Sequence, residues 1–125
     1  MANDEGQRTN DTAPAPAIDQ RGDAGGAGPF LPRLIAWEVT RSCPLACKHC
    51  RAAARNQPYE GELTTDEGRR LLENIARLAR PTIILTGGEP MLRDDIYDLA
   101  SYADGLGLAV VMAPCGQMVD RKAVE

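Results

Sequence analysis

Residues 34–50 read Leu34-Ile35-Ala36-Trp37-Glu38-Val39-Thr40-Arg41-Ser42-Cys43-Pro44-Leu45-Ala46-Cys47-Lys48-His49-Cys50, and this stretch decides the fold. Its first part is a short apolar, partly β-branched run that fits a mostly buried strand. The cysteines follow at once, which puts them at the strand's carboxyl edge. Downstream, Thr64-x-x-Glu67 is a capping box that opens a helix through about Ala79, with Leu71, Leu72, Ile75 and Leu78 on one face. Pro81 stops that helix, and Thr82-Ile83-Ile84-Leu85-Thr86 is a second apolar strand ending in Gly87-Gly88-Glu89-Pro90. Asp94 or Asp95 caps a second helix whose Ile96, Leu99, Ala100, Ala103 and Leu106 recur at helical spacing, with Gly105 and Gly107 marking its end. A third strand, Leu108 to Met112, and the start of a third helix, Val119 to Glu125, complete the pattern.

Strands alternating with helices predict an α/β fold of parallel βα units, in which ligands gather at the carboxyl ends of the strands. Both the cysteines and the Gly-Gly-Glu-Pro turn fall at that edge. An open three-stranded sheet would leave a strand edge unpaired, so a further portion of chain or a partner is expected to cover it. Residues 1–32 form the other region. Rich in Gly, Ala, Pro, Asp and Asn with few large apolar side chains, they are expected to be a disordered leader, and residues 33–125 the ordered unit.

Composition narrows the function. With 43% hydrophobic and 26% charged residues the chain is of the soluble globular class. Its net charge of -4 gives no basic field for a nucleic-acid backbone. No run is long enough to span a bilayer and no secretory signal is evident, so no membrane partner and a cytoplasmic location are expected. In such a compartment, four cysteines, three of them in one short loop, indicate metal ligation before disulfides.

Three thiolates spaced Cys-x-x-x-Cys-x-x-Cys can hold three corners of a 4Fe-4S cluster, because soft sulfur donors converge from one turn. The fourth iron then has no protein ligand, and a chelating amino acid such as methionine, through its amino and carboxylate groups, could fill that position. The competing arrangement is a structural zinc closed by the same thiolates with His49 or Cys115. Against it, zinc staples usually come as two separated ligand pairs, and they need no glycine turn with a carboxylate nearby. Gly87 and Gly88 let the backbone approach a ligand closely, and Glu89 offers an acceptor to an ammonium group. Alone, that turn is equally a plain strand-to-helix connection.

Taken together, the cysteine triad and Gly87-Gly88-Glu89-Pro90 make the chain resemble the radical SAM superfamily from Leu34 to about Val119. The resemblance implies the N-terminal portion of a partial (β/α)6 barrel, with Cys43, Cys47 and Cys50 on the cluster and Gly87, Gly88 and Glu89 on the methionine part of S-adenosyl-L-methionine. It places His49 near the adenine. One electron from the cluster then cleaves the sulfonium, giving methionine and a 5'-deoxyadenosyl radical that takes hydrogen from substrate. An electron donor such as flavodoxin or ferredoxin is implied. Pro32 to Cys43, Gly61 to Thr65 and Ile83 to Arg93 look like the branch that includes haem b synthase and its haem d1 relatives. That branch implies an iron porphyrin whose propionates are oxidatively decarboxylated to vinyl groups; peptide-maturation enzymes are the nearest rivals.

The sequence departs from the family pattern at three places. Pro44 stands where many members have Asn. At Ala113-Pro114-Cys115-Gly116 many relatives carry a Thr-Asn-Gly turn, so Cys115 is expected to be a substituted turn residue rather than a ligand. The chain also stops before the later strands of such barrels, so these residues alone are expected to hold a cluster poorly and not to turn over substrate. The full-length protein would be the enzyme. The alternatives are a metal-binding or partner-binding module completed by another polypeptide, or an inactive truncated product.

Overall fold

The computed structural model describes residues 30–124, apart from the side chain of Lys122; the expectation for residues 1–29 lies outside them. Strands β1 (Leu34–Thr40), β2 (Thr82–Gly87) and β3 (Ala109–Met112) form one sheet in the order β1-β2-β3, with both pairings parallel. Helices α1 (Thr65–Leu78) and α2 (Ile96–Gly105) make the crossovers, a single 3-10 turn (Pro90–Leu92) precedes α2, and a short α3 (Arg121–Val124) follows β3. The α/β expectation holds, with β3 one residue shorter than its apolar run and α3 starting two residues later than expected.

Register follows the period-two alternation of side chains. Trp37 lies beside Leu85 and Leu85 beside Met112, while Ile35 lies beside Ile83 and Ile83 beside Val110. These side chains face the helices and join Val39, Leu72, Ile96, Leu99, Ala103 and Leu108 in one core. Leu72, Ile83, Leu85 and Leu99 are wholly removed from solvent, each contributing about 1.5–3 kcal/mol of burial. The opposite face differs from the mostly buried strand expected of β1: Leu34, Ala36 and Glu38 are exposed, as is Val111 on β3. Cys50, Arg51 and Ala52 of the cysteine loop line a cavity beside that face, so the strands are buried on one face and largely open on the other.

The capping box at the start of α1 is formed in both directions. The Thr64 backbone N–H donates to Glu67 Oε2 at 2.8 Å, and the Glu67 N–H donates to Thr64 Oγ1 at 3.3 Å. Of the apolar face predicted for this helix, Leu72 is buried, Leu71 and Ile75 are half-buried, and Leu78 is 64% exposed. Leu78 lies on the edge of the stripe, one heptad after Leu71, in the last turn where the core has ended. At the start of α2, Asp95 occupies the cap position without capping through its side chain, because its carboxylate is committed elsewhere. Among the described residues no helix is long and apolar enough to cross a membrane.

Candidate metal and cofactor site

The carboxyl ends of β1 and β2 meet backbone to backbone. The Gly88 N–H donates to Thr40 O and the Glu89 N–H to Ser42 O, both at 2.8 Å. Gly87 has a φ of +134°, a region closed to ordinary side chains, and a Cβ there would collide with the Thr40 carbonyl. A Cβ on Gly88 would collide with the Ser42 carbonyl in the same way. Sequence reasoning gave these glycines the task of admitting a ligand. In the structure the space they leave is taken by the root of the cysteine loop, so the turn and the loop are locked together.

Cys43 stands at that root and is buried. Its N–H donates to Arg55 O at 3.0 Å, next to an isolated bridge between Ser42 and Arg55 that closes the loop. Beyond it the loop is open. Cys47, His49 and Cys50 are all exposed, in a turn closed by Cys50 N–H to Cys47 O at 3.2 Å. A second turn follows, with Ala53 at a φ of 47°, and the Ala54 N–H donates to Cys50 Sγ at 3.4 Å. A hydrogen bond on a ligand sulfur is one of the features that set the potential of an iron–sulfur centre.

Long-range polar contacts fasten the two limbs of the loop. Glu62 Oε1 accepts from the Thr40 hydroxyl and the Arg41 N–H, both at 2.8 Å. The Arg41 guanidinium donates to Ala52 O at 3.2 Å and stacks 4.8 Å from the Tyr59 ring centroid. Arg93 donates to Val39 O and Leu63 O, both at 2.9 Å, and pairs in bidentate fashion with Asp95, at 2.8 and 2.7 Å. Thr65 Oγ1 donates to the same Asp95 carboxylate at 2.6 Å. The Arg93 hydrogen bonds, followed by that of Thr65, hold the Asp95 carboxyl below its ordinary value against the opposing effect of burial.

Glu89 is fully buried. Oε1 accepts from the Met91 N–H at 2.9 Å and Oε2 from the Cys115 N–H at 2.5 Å. The neighbouring Glu89 carboxylate, as hydrogen-bond acceptor and as charge, together with burial, holds the Cys115 thiol above its ordinary value. Glu89, expected to offer an acceptor to an ammonium group, is engaged by two backbone donors, the Met91 and Cys115 N–H groups. Of a carboxylate's roughly four acceptor positions, about two remain.

The donor set fits an iron–sulfur cluster by kind. All four cysteines are free thiols, and Cys43, Cys47 and Cys50 share one loop, the first anchored against the glycine turn and the other two exposed. Among the described residues no three His, Cys, Asp or Glu side chains are gathered to hold a metal ion, the Cys43, Cys47 and Cys50 triad included. Beside the loop, on the open sheet face, Ala36, Glu38, Ile84, Thr86 and Gly87 join Cys50, Arg51 and Ala52 in lining a cavity of about 570 Å³. The structure therefore brings Cys115 and Glu89 together, and Cys50 and Gly87 onto one cavity, while His49 stays outside these contacts. Sequence reasoning missed Arg41, Glu62, Arg93 and Asp95.

A family model described as the radical SAM superfamily matches residues 37–125. Among curated relatives, the chain is 56% identical over 87 residues to the AdoMet-dependent heme synthase of Oleidesulfovibrio alaskensis, covering 70% of this chain and 22% of that protein. It is 39% identical over 92 residues to the Fe-coproporphyrin III synthase of Methanosarcina barkeri, covering 74% and 23%. With the pre-heme d1 synthase of Dinoroseobacter shibae it shares 41% identity over 83 residues, covering 66% and 20%. The chain thus spans about a fifth to a quarter of the length of these relatives.

Proposed function

The chain belongs to the radical SAM superfamily, whose members use a 4Fe-4S cluster and S-adenosyl-L-methionine, and from that premise we propose that it is part of a haem-forming enzyme. The reaction is the oxidative decarboxylation of iron-porphyrin propionates to vinyl groups. The observation that carries this reading is the 56% identity to a protein named AdoMet-dependent heme synthase, against 39% and 41% for those named for neighbouring tetrapyrrole reactions. The partners are the porphyrin and an electron donor of the flavodoxin or ferredoxin kind.

In this proposal Cys43, Cys47 and Cys50 hold the cluster, Gly87, Gly88 and Glu89 receive the methionine part of S-adenosylmethionine, and His49 lies near its adenine. When bound, the cluster supplies the electron that cleaves the sulfonium. The chain's own residues supply position. Because Gly88 and Glu89 hydrogen-bond to Thr40 and Ser42, the cosubstrate turn and the first cysteine share one rigid backbone frame. The cavity on the open sheet face adjoins Cys50 and Gly87, so a substrate there reaches the reacting atoms from the side the helices leave free. Arg51 in its lining offers a planar guanidinium suited to a propionate.

The test is anaerobic incubation of the full-length protein with S-adenosylmethionine, a low-potential reductant and an iron coproporphyrin. Formation of 5'-deoxyadenosine together with porphyrin products that have lost carboxyl groups supports the proposal. Cleavage of S-adenosylmethionine with the porphyrin unchanged refutes its substrate half and leaves the family chemistry standing.

A further inference from the structure

The cysteine loop leaves the sheet at Arg41, and the Arg41 side chain reaches back across it. Its backbone is fixed first: the Arg41 N–H donates to Glu62 Oε1 at 2.8 Å, beside the Thr40 hydroxyl on the same oxygen. From that point the guanidinium donates to Ala52 O at 3.2 Å and lies 4.8 Å from the centre of the Tyr59 ring, a cation over an aromatic face. Ala52 sits in a turn closed by the Ala53 N–H on Cys50 O at 3.3 Å. Ala53 has a φ of 47°, a left-handed conformation that costs a residue other than glycine energy and persists where neighbours hold it. The next residue, Ala54, donates its N–H to Cys50 Sγ at 3.4 Å. Arg55 then accepts from the Cys43 N–H at 3.0 Å. The residue that bonds the sulfur is thus bracketed by two tethers to residues 41–43, one made by the Arg41 side chain and one by backbone.

We propose that Arg41 is a positioning residue for the iron–sulfur cluster: by holding Ala52 it keeps the Ala54 N–H on Cys50 Sγ, and so raises the reduction potential of the cluster. The inference rests on the reading that Cys43, Cys47 and Cys50 hold a 4Fe-4S cluster. One-electron reduction places further negative charge on a cluster and its thiolates, so a donor aimed at a ligand sulfur favours the reduced state. Without that donor the potential falls. The backbone tether at Arg55 survives any substitution, whereas the Arg41 tether is removed by one. The positive charge of Arg41 acts in the same direction as the hydrogen bond it supports. Lys48, an exposed cation between Cys47 and His49 in the same loop, measures how much charge alone contributes.

The experiment compares wild type, Arg41→Ala, Tyr59→Leu and Lys48→Ala in the full-length protein, reconstituted anaerobically and kept free of S-adenosylmethionine. It reads iron and sulfide content, the midpoint potential by titration with dithionite, and the hyperfine coupling of exchangeable protons to the reduced cluster, identified by transfer to deuterium oxide. All four proteins are expected to hold about four irons per chain. Arg41→Ala is expected to move the midpoint to a more negative potential and to lose an exchangeable-proton coupling. Tyr59→Leu keeps the guanidinium charge and removes only the ring it lies over, and is expected to move the midpoint the same way by less. Lys48→Ala should move it least and keep the coupling. A full cluster with an unchanged midpoint in Arg41→Ala would overturn the inference, and so would a shift no larger than that of Lys48→Ala, which is charge acting alone. Loss of iron from a folded Arg41→Ala would overturn it too, because the tether would then serve assembly and not potential. Should Arg41→Ala fail to fold, Tyr59→Leu decides: a negative shift supports the inference and an unchanged midpoint overturns it. A wild-type protein without any cluster would instead remove the underlying reading of the three cysteines.

Discussion

The helix-covered face of the sheet and the cysteine loop meet at the carboxyl end of β1, yet they are held by opposite means. On the covered face, Val39, Leu72, Ile83, Leu85 and Leu99 are buried among one another, and the glycine turn leaves no room for a single added carbon. In the loop, Cys47, His49 and Cys50 are exposed, and order comes from a few polar fasteners reaching across it. The difference teaches a division of labour. On the proposed reading, the protein's own packing builds the side assigned to the cosubstrate, while the side assigned to the metal is left for its occupant to organise, as is common where binding and local order are coupled.

The sharpest way to break this comparison is Gly88→Ala. With the Ser42 carbonyl in the way of its Cβ, the variant is expected to lose more than about 3 kcal/mol of stability, or to fail to fold, as read by urea denaturation. Leu72→Ala, in the core beneath β1, should cost about 2–5 kcal/mol by the same measurement. Thr64→Ala, which opens the capping box on α1, should cost about 1 kcal/mol. At the other extreme, Cys47→Ala and Cys50→Ala should change the stability of the metal-free fold by less than about 0.5 kcal/mol while abolishing cluster assembly. A large loss of metal-free stability in either cysteine variant would erase the distinction drawn between the two regions.

A pH series sharpens it further. Asp95 is held below its ordinary value of 3.8 by its hydrogen bonds from Arg93 and Thr65, so the stability it contributes is present above that value. It is lost as pH falls through the folded-state value. Denaturation curves at neutral pH and near pH 3 should therefore converge in Asp95→Asn relative to wild type. The pair is mostly removed from solvent, so screening reduces the effect only in part.

How much of this was legible in the sequence follows from the reach of each interaction. The capping box spans three residues and the strands announce themselves as apolar runs, so both could be read locally. The cysteines and the glycine turn could likewise be placed at one edge by topology alone. Arg93 donates to Val39, 54 positions away, and Glu62 accepts from Thr40 across 22, contacts that exist only once the sheet has formed. For the same reason Asp95 read as a helix cap when its carboxylate belongs to Arg93 and Thr65. That the Cys115 N–H, 26 residues on, reaches Glu89 was likewise beyond local reading. The open face of β1 was illegible for a different reason: an apolar run shows that a strand seeks cover, and is silent on which side receives it.

The measurement that bears most directly on the account is metal and sulfide analysis of the full-length protein purified without oxygen, read with its reduced electron paramagnetic resonance spectrum. The account predicts about four irons and four sulfides per chain, lost on replacement of Cys43, Cys47 or Cys50 and retained on replacement of Cys115. One tightly bound zinc per chain, with no iron and no sulfide, would contradict it.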